Sequence, residues 1–374
     1  MHYFISAGEA SGDLHAGELM NRLREADPNA HFTFTGGDNM SCAAGHEPLV
    51  HIRDMAFMGF SEVIRNLGRI RNNFTTVKKA IDKLQPDCVI LVDYPSFNLK
   101  IARHARKLGI PVVYYIAPKV WAWKEWRVKQ IRRNVNLILS ILPFEPEYFA
   151  RKGITAHYVG NPSVEEVDRK LATAPTATEF RTSHHLTDTP ILALVPGSRV
   201  SEIRNNLPIM HEVARRFANR FQAVIAGAPD IDLTFYRQFS DLPVVTDATY
   251  LLMKHSQAAL VTSGTATLEC ALCNTPQIVC YRGNGSKLTY KIMERLLHIP
   301  FVSLPNLIAG KEIVPELLMY RCNADSVSYA LTDILPDTIG RQKQLEGYTL
   351  MRSRLGKPGA AKRAAHLILN LLSK

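Results

Sequence analysis

The chain has 374 residues, 46% of them hydrophobic and 21% charged, which excludes a disordered or low-complexity protein and allows two or three domains with cores of their own. Its 45 Lys and Arg against 34 Asp and Glu leave a formal charge of +11, a field that draws phosphosugars, nucleotides, nucleic acid or acidic lipid surfaces. It carries no zinc-finger spacing, no aromatic RNP-type strand and no lysine-rich tail, so nucleic acid is not the expected partner.

The amino terminus, MHYFISAGEASGD, places Glu9 and Asp13 where a secretory peptide needs an unbroken apolar run, and no stretch reaches the ~20 apolar residues of a membrane span. A cytoplasmic protein is expected. Six scattered cysteines read as reduced core thiols. Cys270 and Cys273 form a C-x-x-C, but within a helical pattern and without a second ligand pair, so packing outweighs metal or redox use.

Short β-branched runs, HYFISA, HFTFTG, CVILVD, PVVYYIA, NLILSIL and AHYVG, alternate with amphipathic stretches through the first half. Such near-continuous apolar strands predict a parallel sheet covered on both faces. The pattern lapses into a polar stretch rich in Thr and Ala, read as a linker over residues 164–189. It restarts with ILALVPGS, QAVIAG, PVVTD, AALVTSG and PQIVCY. Two doubly wound α/β domains are therefore expected, residues 1–163 and 190–355, with ligands at the carboxyl ends of the strands and in a central cleft. Residues 356–374 read as a helix that crosses to the first domain or to another subunit.

At the first strand exit, Gly8, Glu9, Ser11 and Gly12 make a small-residue turn before a helix expected near Leu14. The turn suits close approach of a substrate to the backbone, and the competing reading is an ordinary turn with Asp13 as a helix cap. Further on, a segment holding Met58 leads into a stretch where Phe60, Val63, Ile64, Leu67, Ile70 and Phe74 recur at helical spacing beside Arg65, Arg69 and Arg71. Either a core helix or one lying in an anionic membrane surface has this pattern.

Asp93 ends CVILVD at a strand's carboxyl edge. A carboxylate there can take a proton from an attacking hydroxyl, or cap the following helix. The run Lys119-Val120-Trp121-Ala122-Trp123-Lys124-Glu125-Trp126-Arg127 gathers all three tryptophans with cations. One ring, Trp123, is a candidate for stacking on a sugar, and another belongs to the core.

Gly197-Ser198-Arg199 follows a buried strand, and Arg199 can grip a diphosphate or pair with Glu202. Ser263-Gly264-Thr265, a helix start with hydroxyls, suits phosphate, while Glu269 one turn inside can accept from ribose hydroxyls. Neither a G-x-G-x-x-G nor a P-loop occurs, so NAD and ATP are not indicated and no cofactor is expected. Asp230-Ile231-Asp232 reads as a cap rather than a metal clamp, so no metal is expected.

Taken in order, GEASGD, MGFSEV, VWAW, LPFE, PGSR, SGTATLE, YR and VSLPNLIAG resemble the lipid A disaccharide synthase family, inverting glycosyltransferases of the two-domain GT-B type, over most of the chain. The resemblance implies transfer of 2,3-diacylglucosamine from UDP-2,3-diacylglucosamine to 2,3-diacylglucosamine 1-phosphate (lipid X), giving a β-1′,6 link and UDP without a metal. It implies that Asp93 is the essential strand-end aspartate, Arg199 the donor-side arginine, and Ser263, Gly264, Thr265, Glu269 and Asn306 the nucleotide pocket.

With acylated substrates, the stripe from Met58 to Ile70 is expected to lie on the cytoplasmic face of the inner membrane. A homo-oligomer is left open. Where the family commonly has histidine or arginine, this chain has Asn161, Lys124 and Lys311. The competing classes are a UDP-N-acetylglucosamine 2-epimerase-like enzyme and a non-catalytic protein binding anionic lipid.

Overall fold

Strands whose residues are apolar on both faces must be covered on both, and the computed structural model, which describes residues 1–55, 66–229, 231–283 and 300–373, meets that demand twice. One unit comprises Met1–Pro162 and Lys357–Lys374, the other Ser163–Gly356. The first holds a parallel sheet of β1 (His2–Ser6), β2 (His31–Gly36), β3 (Val50–His51), β4 (Cys88–Val92), β5 (Val112–Tyr115), β6 (Leu137–Ser140) and β7 (Ala156–Tyr158) in the order β3-β2-β1-β4-β5-β6-β7. The second holds β8 (Ile191–Val195), β9 (Gln222–Gly227), β10 (Val244–Thr246), β11 (Ser256–Thr262), β12 (Gln277–Tyr281) and β13 (Glu316–Leu318) in the order β10-β9-β8-β11-β12-β13.

Side chains alternate along a strand, so β1 sends Tyr3 and Ile5 to one core and Phe4 to the other. The first of these cores is completed by Ala364, Ala365 and Ile368 of the helix Ala360–Leu372, so the carboxyl-terminal segment packs within the first unit. Arg363 fastens it: Nε donates to the Val159 carbonyl at 2.8 Å, and the guanidinium also reaches the carbonyls of Lys357 and Pro358. Gly160 is required beside it, because its φ of +92° is left-handed and a Cβ would run into the guanidinium.

Residues 164–189, expected as a linker, are largely helical and lie in the second unit. The helix Ala177–Ser183 opens with a capping box between Thr176 and Glu179 and is anchored by the fully buried Phe180. One aromatic anchor leaves no periodic apolar signal in the sequence. The edge strands β3 and β13 escaped the sequence reading for a related reason, since two or three residues are too few to show an alternation.

In each sheet the strand order reverses at one place, between β1 and β4 in the first and between β8 and β11 in the second. At such a switch point successive connections leave on opposite faces and open a crevice at the carboxyl ends of the strands. The four exits at these two places are GEASGD, DYPSFN, PGSR and SGTATLE, the segments singled out from the sequence.

The first helix begins at Ala10, earlier than expected, so Asp13 lies in its first turn. Its carboxylate caps a different helix, Asp38–Ala44, accepting from the backbone of Gly37 (2.6 Å), Asn39 (3.0 Å) and Met40 (3.1 Å) and from Asn39 Nδ2 (2.8 Å). Asp13→Ala strands these buried donors, and a loss of about 2–4 kcal/mol is expected. That corresponds to a melting temperature lower by roughly 5–10 °C in a calorimetric scan. An unchanged melt would contradict the capping role.

Candidate functional site

At the first switch point Asp93 and Tyr94 both have φ of +45°, a left-handed conformation that costs roughly 1–2 kcal/mol per non-glycine residue. A buried web holds them there. Asn98, fully buried, donates its amide to the carbonyls of Ser6 (3.1 Å), Val92 (3.2 Å) and Asp93 (2.9 Å) and receives the Ser6 hydroxyl at 2.7 Å. Thr35 donates to Ser6 Oγ at 3.1 Å, and the Tyr114 hydroxyl to the Asp93 carbonyl at 2.6 Å. Together these bonds tie the ends of β1, β2 and β4 to β5.

The N-cap of the helix Pro95–Lys107 falls on Tyr94, with no side-chain cap, so the competing cap role does not occupy Asp93. Burial pushes the Asp93 carboxyl above its ordinary range, while Lys119 and the Tyr94 N–H pull it partly back.

Gly8 is buried against the Tyr94 ring, where a Cβ would come within 2.4 Å of it, so packing by itself demands a glycine here. Glu9 is half-buried at the helix N-cap, and Ser11 is exposed in the first turn. Trp123 is 62% exposed with Lys124 Nζ 4.6 Å from its ring centre. Trp121 turns inward, stacking edge-on to Phe144 and donating Nε1–H to Glu145 at 3.1 Å. VWAW and LPFE thus meet, and burial pushes the Glu145 carboxyl up to about 7 against the hydrogen bonds from Trp121 and Leu142.

In the second unit Gly197 has φ of +110°, and the Glu202 carboxylate sits where its Cβ would be. That carboxylate accepts from Ser198 N at 3.1 Å and pairs with the exposed Arg199 at 3.3 Å, a screened surface contact that a ligand anion can displace. Ser263, Gly264 and Thr265 leave β11 into the helix Thr265–Leu272, and a Cβ on Gly264 would meet nothing within 4 Å. Thr262 Oγ1, beside them, is buried without a hydrogen-bond partner.

Glu269 is half-buried one turn into that helix. Burial, then the charge of Glu166, push its carboxyl up to about 7, while the Tyr250 hydroxyl, whose one proton is shared between the two carboxylates, pulls it partly back. The Tyr250 oxygen lies 3.1 Å from Glu166. Glu166, in the stretch expected as a linker, therefore lies beside Glu269.

Asn306 requires a correction. It is fully buried and its amide is fully used, donating to Val314 O (2.9 Å) and Glu316 Oε1 (2.8 Å) and accepting from the backbone of Ile313 (2.7 Å) and Val314 (2.9 Å). Its side chain is therefore spent inside the protein, where it builds the 302–316 loop together with Glu316. Asn161 is buried too, donating to Ile141 O at 3.1 Å.

Met58, Phe60 and Ile64 lie outside the described residues, as do Asp230 and the Leu67 side chain; Ile70 is half-buried. Asp232 caps its short helix through Thr234 N at 2.7 Å. Among the described residues no helix is long and apolar enough to cross a membrane.

The web around Asp93, the buried Glu145, and the Glu166–Tyr250 pair were not anticipated. Asn98 and Glu145 sat in plain view within YPSFN and LPFE, whereas nothing in the sequence near Glu166 or Tyr250 signals that they meet.

The family model described as lipid-A-disaccharide synthetase matches residues 3–369. The lipid-A-disaccharide synthase of Myxococcus xanthus is 40% identical over 377 residues, covering 98% of this chain and 97% of its own. That of Syntrophus aciditrophicus is 38% identical, covering 99% and 97%.

Among solved structures, UDP-GlcNAc 2-epimerase from Neisseria meningitidis bound to UDP-GlcNAc superposes with a TM-score of 0.67 at 13% identity over all of both chains. The calicheamicin glycosyltransferase does so at 0.60 and 15%, covering 100% of this chain and 98% of its own. These likenesses establish a GT-B-like fold and no more, and the family matches favour the synthase reading over the epimerase one.

The native Glu145 carboxyl, near 7 against an unfolded value near 4.5, holds its proton more tightly than the unfolded chain does. Its contribution to stability is therefore full below about pH 4.5 and is lost as the pH rises to about 7. Relative to the parent, Glu145→Gln should gain on the order of 2 kcal/mol between pH 5 and pH 8, because the hydrogen bond the amide forfeits is common to both conditions. Denaturant titrations at the two pH values measure the difference, and a constant offset would rule the linkage out.

Proposed function

The chain belongs to the lipid-A-disaccharide synthase family, and from that premise we propose that it joins UDP-2,3-diacylglucosamine to lipid X in an inverting β-1′,6 transfer. It is a glycosyltransferase of lipid A biosynthesis. Full-length membership of the family carries the reading.

In the proposed step Asp93 takes the proton from the attacking acceptor hydroxyl as the new C–O bond forms at the anomeric carbon. The bond to the diphosphate breaks, and UDP leaves with its electron pair. Two features support Asp93: its place at the switch point, and a carboxyl made more basic by burial, which is better matched to a hydroxyl's proton. Arg199, exposed and held by a displaceable carboxylate, offsets the charge growing on the diphosphate, with Ser198 beside it. Ser263, Gly264 and Thr265 offer N–H and hydroxyl groups to phosphate, and Glu269 accepts from the ribose.

The acceptor is assigned to the first unit, where Glu9, Ser11 and Trp123 border the exit loops. A peripheral position on an anionic membrane surface agrees with the charge of +11 and with the exposed Arg69 and Arg71. Phe74 of the same helix, Leu67–Leu84, packs edge-on against Phe97 and so faces inward.

Mass spectrometry of the product from the two acylated substrates tests the reading directly, with tetraacyl disaccharide 1-phosphate as the expected species. Asp93→Asn should lower kcat about 10²–10⁴-fold, and retained turnover would remove the base. UDP affinity should rise as the pH rises through about 7, as Glu269 ionises and gains acceptor capacity. Glu166→Gln should move that midpoint downward. Calorimetric titration with UDP from pH 6 to 8.5 reads both, and a flat profile in the parent would detach Glu269 from the nucleotide.

A further inference from the structure

Arg127 closes the turn Glu125–Arg127 on the loop after β5 and is 9% exposed. A guanidinium carries five N–H donors in a fixed fork. Here Nη2 meets the Ser96 hydroxyl at 2.9 Å, and the group lies 5.6 Å from the Trp126 ring centre. Among the described residues no carboxylate pairs with it. Glu125, two residues away, is taken by Lys152 at 2.7 Å, and Glu145 by Trp121 and Leu142.

A sequestered cation without a counter-ion is unfavourable, and burial accordingly lowers the Arg127 pKa. Its position is informative. Tyr114, whose hydroxyl holds the Asp93 turn, lies within the field of both the Asp93 carboxylate and the Arg127 guanidinium. Ser96 is three residues beyond Asp93, in the first turn of the helix Pro95–Lys107. Arg127 therefore belongs to the same strand-end opening as the proposed base, but keeps its charge uncompensated among the described residues.

We propose that Arg127, oriented by Ser96, binds the phosphate monoester of the sugar acceptor. The fork matches two phosphate oxygens, which a lysine's point charge would not, and the incoming dianion supplies the counter-ion that the fold withholds. Binding at this point fixes which hydroxyl of the sugar meets Asp93. The assignment rests on the reading that the first unit takes a phosphorylated acceptor.

Steady-state kinetics with acylated glucosamine acceptors carrying or lacking the anomeric phosphate test it, on the parent, Arg127→Gln and Arg127→Lys. With the phosphorylated acceptor, Arg127→Gln should raise the acceptor KM roughly 10–100-fold and leave the donor KM unchanged. With the acceptor lacking phosphate, on which the parent is already impaired, no further loss is expected. Arg127→Lys should recover part of the difference, and it carries the same comparison if the glutamine variant does not fold.

An equal loss on both acceptors would make Arg127 a packing residue and overturn the proposal. So would a raised donor KM, which would assign the anion to the diphosphate. Weaker binding to phosphatidylglycerol vesicles with an unmoved acceptor KM would assign it to a lipid headgroup and overturn the proposal equally. A parent that shows no preference for the phosphorylated acceptor defeats the acceptor reading itself. A preference that survives in Arg127→Gln defeats the Arg127 assignment alone.

Discussion

One buried side-chain amide carries the geometry of the first unit's site. Asn98 bridges three carbonyls on the ends of β1 and β4, and with Tyr114 it holds two successive residues in a conformation they would not adopt alone. The strain is local and the bonds that offset it are buried or partly buried, where hydrogen bonds are strong and an unpaired partner is costly. The turn that carries Asp93, between β4 and the helix Pro95–Lys107, is thereby held by the core itself.

The second unit solves a similar problem with charge. Glu202 fills the space a glycine leaves open and steadies the PGSR turn, while Glu269 is kept near neutrality by burial and by a second carboxylate across Tyr250. Carboxyls with raised affinity for protons occur in a chain of strongly positive net charge. The combination favours ligands that bring their own anionic groups, as phosphosugars do, since each incoming negative charge meets cations that the fold has left exposed or short of a counter-ion.

Much of this was legible from residue order. Apolar runs such as CVILV and ILALV state parallel strands with both faces covered, because nothing else buries consecutive apolar residues in so short a span. The exits GEASGD, DYP, PGSR and SGTATLE could be named because small residues and charges break an apolar run abruptly. The reading failed where a residue's role depends on a distant partner. Asn306 looks like a ligand group in a loop motif yet is spent on Val314 and Glu316. Asp13 looks like the cap of its own helix yet caps another.

The sequence by itself determined the two α/β units, the strands at their centres and the four loops that leave the strands at the two switch points, since periodicity and turn chemistry are properties of neighbours along the chain. Tertiary structure alone decided the strand orders that bring β1 beside β4 and β8 beside β11, the web that strains Asp93, and the separation of Arg127 from every carboxylate among the described residues. These are properties of residues far apart in the chain, and burial and hydrogen-bond saturation exist only once the cores that exclude water have formed.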